Sequence, residues 1–65
     1  MKKIRFTNRK ENTVKEEMMT FKIGESVFSL VQNVKETNEA IRWCNTHKTG
    51  DVLERDDYKI EITEG

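Results

Sequence analysis

The sequence predicts one small α+β domain over residues 1–65: an antiparallel three-stranded sheet in the order 2-1-3, with one helix packed on one face, in the chain order ββαβ. Three observations carry this expectation. Residues 2–7 and 58–63 alternate apolar with polar side chains, the period of a half-buried strand. From Val27 to Cys44 the apolar spacing changes to that of a helix. Residues 1–10 hold Lys2, Lys3, Arg5, Arg9 and Lys10 with no acid, while residues 51–65 are rich in Asp and Glu, so the first and last strands attract each other.

In strand one, Ile4 and Phe6 face one side and Lys3, Arg5 and Thr7 the other. After the polar run Asn8–Thr13, Met19, Phe21 and Ile23 alternate against Met18, Thr20 and Lys22, which predicts strand two, beginning as early as Val14. Gly24 punctuates its end, and Glu25 and Ser26 suit a helix start. Val27, Leu30, Val31, Val34, Ile41 and Cys44 then form one helical stripe, with Thr37 and Asn38 inside it. This favours a single helix stopping near Lys48, where His47, Lys48 and Gly50 supply the cations and the left-handed residue that helix ends prefer. In the competing reading Ser26–Val31 is a hairpin strand and the helix starts at Asn33, with Asn33 and Glu36 as a capping box. Val52 and Leu53 read as a loop folded back on the core, Arg55–Asp57 as a turn, and Tyr58, Ile60 and Ile62 as the inward side of the last strand. A right-handed crossover places strand one in the centre, with Arg5 or Lys3 facing Glu61.

The composition bounds function as well as fold. A chain of 65 residues, 34% of them hydrophobic, builds a thin core with little room for a deep substrate cavity. Its single cysteine, Cys44, forms no internal disulfide, so the expected compartment is the cytoplasm. No apolar run reaches the length of a membrane span or signal peptide, and no linker, repeat or low-complexity tract divides the chain. The 12 basic and 12 acidic residues balance, so the whole chain is neither a polycation nor an acidic mimic of nucleic acid. Walker, dinucleotide-binding, EF-hand and HExxH patterns are absent; no enzymatic activity and no cofactor are expected.

Cys44 and His47 share a helix face at a spacing that suits one metal ion or a nucleophile with its base, yet no other Cys or His completes a zinc site. Cys44 therefore reads as a small buried hydrophobe, and no metal site is assigned. Glu16–Glu17 and Asp56–Asp57 read as edge and turn charges that oppose edge-to-edge pairing, because adjacent strand residues point to opposite faces.

Two surfaces are candidates for binding. Trp43 falls roughly 160° from the centre of the apolar stripe, so with Arg42, Glu39 and His47 it has the character of an interface anchor for a larger host protein. A later or bent helix would instead let Trp43 flank the core. The alternative is contact with the phosphates of nucleic acid through a basic sheet face of Lys3, Arg5, Lys22 and Lys59, with Arg9 and Lys10 in the adjoining loop. Phe6, Phe21 and Tyr58 are expected to point inward, which leaves that face without a base-stacking platform. A structural homo-oligomer is the third reading. In length, element order and charge density the chain resembles the very small host-takeover and antitoxin proteins of tailed phages. The resemblance implies an inhibitor or antitoxin-like regulator docking on a larger host protein, and no motif carries a residue role across.

Overall fold

The computed structural model describes residues 1–65 as β1 (Lys3–Asn8), β2 (Thr13–Met18), α1 (Ile23–Val31), α2 (Val34–Thr46), β3 (Val52–Glu54) and β4 (Tyr58–Glu64). The domain is α+β, but its sheet is four-stranded in the order β2-β1-β4-β3 and carries two helices, which corrects the expected three strands and one helix. β1 does lie between the second strand and the last, antiparallel to both, with Arg5 opposite Glu61 and Phe6 opposite Ile60. The extra strand is β3: Val52 and Leu53, expected in a loop, pair with Glu61 and Ile60.

Burial defines the sheet's two faces. Ile4, Phe6, Tyr58, Ile60 and Ile62 lie under the helices and join Ile23, Val27, Ala40 and Cys44 in one cluster. Ile4, Ile60 and Val27 are wholly inaccessible to water, each contributing about 1.5–3 kcal/mol. The opposite face, with Lys3, Arg5, Thr7, Lys59 and Glu61, carries no covering element.

The single long helix breaks at Gln32 and Asn33. Gln32 turns left-handed (φ 57°) and its N–H donates to Phe28 C=O at 2.7 Å, closing α1. Asn33 is extended, and its Oδ1 accepts from Glu36 N–H at 2.9 Å, starting α2. The competing sequence reading thus places the Asn33 cap correctly, while Ser26–Val31 is helix and not strand. An asparagine that competes for nearby main-chain donors outweighs a stripe running through it, and Val34, a member of that stripe, is left exposed.

Strand two also ends earlier than its alternation suggests. The rung from Met19 N–H to Lys2 C=O, 2.8 Å, is followed by a turn in which Ile23 N–H donates to Thr20 C=O at 3.1 Å and Lys22 N–H to Thr20 Oγ1 at 3.3 Å. Residues 20–23 are therefore a corner, and α1 starts at Ile23 with Lys22 as an N-cap that makes no side-chain capping bond. At the far end α2 stops at Thr46, and Gly50 (φ 96°) turns the chain toward β3. The last carbonyls of α2 are held by a residue distant in sequence: Lys2 Nζ donates to Cys44 C=O at 2.7 Å and to His47 C=O at 2.5 Å.

Candidate partner-binding site

The four residues expected to anchor a partner all sit on α2 or at its cap. Glu39, Trp43 and His47 recur every four residues and share one side of the helix, with Arg42 beside them. Trp43 itself is half-buried: its ring packs against the core cluster and lines a shallow recess with Glu36, Ala40, Leu53 and Tyr58. Its other side stacks on His47, centroids 4.6 Å apart, and His47 Nδ1 lies 2.9 Å from Trp43 C=O. This is the arrangement of an aromatic that flanks the core, since starting α2 at Val34 turns position 43 toward β3. Tyr58 Oη donates a long bond (3.4 Å) to Glu36 Oε2; burial, and then the Glu36 carboxylate, push its phenol above the usual range.

The basic residues of the nucleic-acid reading are not brought together as one patch. Lys3, Arg5 and Lys59 do lie on the open sheet face, but Lys22 belongs to the corner before α1. Acids interleave with the rest. Arg5 reaches Glu16 at 3.0 Å and Lys3 reaches Glu16 at 3.5 Å and Glu64 at 3.8 Å, while Lys59 meets Glu61 at 3.6 Å. In the loop after β1, Arg9 pairs with Glu54 at 2.9 Å and Lys10 with Asp57 at 3.6 Å. Such exposed pairs contribute about 0–1 kcal/mol each, but together they make the face a lattice of alternating charge. The Arg5 guanidinium, hydrogen-bonded to Glu16, holds that carboxyl below the usual carboxylate range.

The cysteine and histidine do not form a reactive pair. Cys44 is fully buried, and burial pushes its thiol up to about 11, against the pull of the Lys2 ammonium. His47 lies exposed at the helix end, stacked on Trp43. No group of three or more His, Cys, Asp or Glu side chains is placed to share a metal ion. The largest concavity, about 390 Å³, is an open groove between β2 and α1 lined mainly by Asn8, Thr13, Lys15, Ser26 and Ser29.

The feature the sequence reading missed is an exposed aromatic side chain. Phe21, expected on the inward side of strand two, is 92% exposed. The corner at Thr20 explains it: Met19 before the turn and Ile23 after it hold the core, so position 21 is forced outward. Lys22 Nζ lies 5.9 Å from the Phe21 ring centroid. Phe28, 47% exposed, projects from α1 outside the stripe that buries Ile23 and Val27. Phe28's absence from the apolar stripe was visible in the sequence; for Phe21 the strand-like alternation hid the corner. Gly24 lies between them and lets α2 approach, since a Cβ there would stand 3.5 Å from Ile41 Cδ1. The fold offers no label for this surface: no protein-family model matches the chain, and no curated protein or solved structure does so at significance.

Proposed function

We propose that the chain is a non-enzymatic protein-binding module that docks on a larger host protein through Phe21 and Phe28, acting as an inhibitor or antitoxin-like regulator. The observation that carries this reading is Phe21. A phenylalanine left 92% exposed costs solvation, and here it sits at a hydrogen-bonded corner between Met19, packed against the core, and Ile23, buried in it, so little main-chain freedom remains to be lost when it enters an apolar pocket. Few buried aromatics dominate most protein interfaces, with charged neighbours forming the rim; Lys22 and Glu25 stand in that position. The small core, with ten buried residues, and a buried Cys44 whose thiol is pushed up to about 11 are in keeping with this reading.

The test compares the natural chain with a Phe21→Ser/Phe28→Ser variant, each immobilised and exposed to extract of the source cells, after which the retained protein is purified and titrated against both. The variant should keep its melting behaviour and bind roughly 30-fold or more weakly. Equal binding by the two chains would overturn the reading.

A further inference from the structure

A second surface, independent of the phenylalanines, is the free edge of the sheet. β2 is the longer of the two edge strands, six residues against three in β3, and none of its side chains is buried. Because Met19 N–H donates to Lys2 C=O, the alternation of an antiparallel ladder turns the main-chain groups of Thr13, Lys15 and Glu17 toward β1. Those of Val14, Glu16 and Met18 point outward without a partner in the chain, except Met18 C=O, which accepts from Thr20 N–H at 2.9 Å and keeps one lone pair for a further bond. Side-chain phase is also reversed relative to the rest of the sheet. Lys15 and Glu17 share the helix side with Phe6 and Ile4, opposite which they pair, whereas Val14 (62% exposed) and Met18 (44% exposed) lie on the open face beside Glu16. Glu17 Oε2 is shielded from water yet accepts no hydrogen bond, with Lys15 Nζ 3.7 Å away.

We infer that β2 pairs antiparallel with β2 of a second copy of this chain about a two-fold axis at Glu16, giving one continuous eight-stranded sheet. The register follows from matching faces and outward main-chain groups. With the axis at Glu16, Val14 of each copy lies opposite Met18 of the other on the open face, and Lys15 lies opposite Glu17 on the helix side, so two apolar pairs and two opposite-charge pairs form at once. Residues 14, 16 and 18 of each chain then donate and accept across the seam. The two Glu16 side chains meet at the axis, each already bound by Arg5 and Lys3 of its own chain. Moving the axis to Lys15 sets lysine against lysine and Val14 against Glu16; moving it to Glu17 sets Met18 against Glu16 and Lys15 against Met19, so that both the apolar and the opposite-charge pairs are lost. The edge charges thus exclude misaligned pairing while matching in one register. A single edge buries less than a standard interface, so the dimer is weak and reversible.

The test exploits the two charge pairs. Sedimentation of the natural chain from about 10 μM to about 1 mM should show a monomer–dimer equilibrium. Lys15→Glu and Glu17→Lys, each alone, place like charges opposite each other and should weaken association roughly tenfold or more. An equimolar mixture of the two variants carries complementary charges at both pairs and should restore the dimer as a heterodimer, which an effect confined to one chain would not do. A mixture of Lys15→Cys and Glu17→Cys chains should, in addition, form a disulfide across the seam under mild oxidation, because positions 15 and 17 face each other as a non-hydrogen-bonded antiparallel pair, the closer of the two kinds. A natural chain that stays monomeric at the highest concentration, a charge-swapped mixture that fails to associate, or a mixture of Lys15→Cys and Glu17→Cys chains that remains reduced would each overturn the proposal.

Discussion

β2 and β4 flank the same strand, each antiparallel to β1 over six residue pairs, yet they are held by different forces. β4 buries Tyr58, Ile60 and Ile62 beneath the helices, so its register is set by the core: a slip of one residue would move all three into water. β2 buries nothing, and its apolar residues Val14 and Met18 face away from the helices. What remains to position it is the main-chain ladder and the contacts of Glu16 with Arg5 and Lys3. One neighbour of the central strand therefore carries the fold, and the other is free to carry an interface.

The largest effect that tests this contrast is a pair of truncations. Ile60→Ala should cost about 2–5 kcal/mol in urea unfolding, because a wholly buried side chain leaves a cavity, whereas Val14→Ala in dilute solution should stay within about 0.5 kcal/mol. Similar losses at the two positions would remove the distinction between the strands.

An intermediate effect concerns the layer that β4 supports. Cys44 lies among the residues packed on Ile60 and Ile62, and its folded pKa is raised from 9.0 to about 11. The sign follows from linkage: the thiolate is disfavoured in the folded chain, so this contribution is complete below pH 9 and is lost as pH rises toward 11. Cys44→Ala should abolish that alkaline loss, and in the natural chain alkylation at neutral pH should proceed only as fast as the domain unfolds. Rapid labelling of the folded protein would place the thiol outside the core.

The smallest effect belongs to β2. Arg5 lowers the pKa of Glu16, so the pair stabilises the fold above the usual glutamate range and the contribution fades as pH falls through the depressed value. Glu16→Gln should flatten the acid limb of the stability profile slightly at concentrations where the chain is monomeric. An unchanged acid limb would mean that the Arg5–Glu16 bond contributes nothing to holding β2.

These differences also explain what was legible beforehand. Ile4, Phe6, Tyr58, Ile60 and Ile62 alternate because one side of their strands is buried, and the charge of the chain's two ends pointed to Arg5 or Lys3 opposite Glu61, of which the register selects Arg5. Cys44 and Val27 were correctly read as core from helical spacing. Val34 was not, because the Asn33 cap divided the stripe into two helices with separate phases. Trp43 was open between anchor and core flank, and the later start of α2 turned it toward β3, half-buried beside Leu53. Phe21 was assigned inward by extending the alternation of β2 beyond the residue where Thr20 bends the chain.

By itself the sequence determined the elements whose side chains have one wet and one dry side: β1, β4 and, at Val27 and Cys44, part of the buried helical surface. Burial imposes a period, and a period can be read without coordinates. The tertiary structure alone decided the phase of β2, the partners of β3 and the outward aim of Phe21. An edge strand wet on both faces carries no period, a three-residue strand is too short to show one, and the direction of a corner depends on hydrogen bonds between Thr20, Lys22 and Ile23 that compete with further strand pairing.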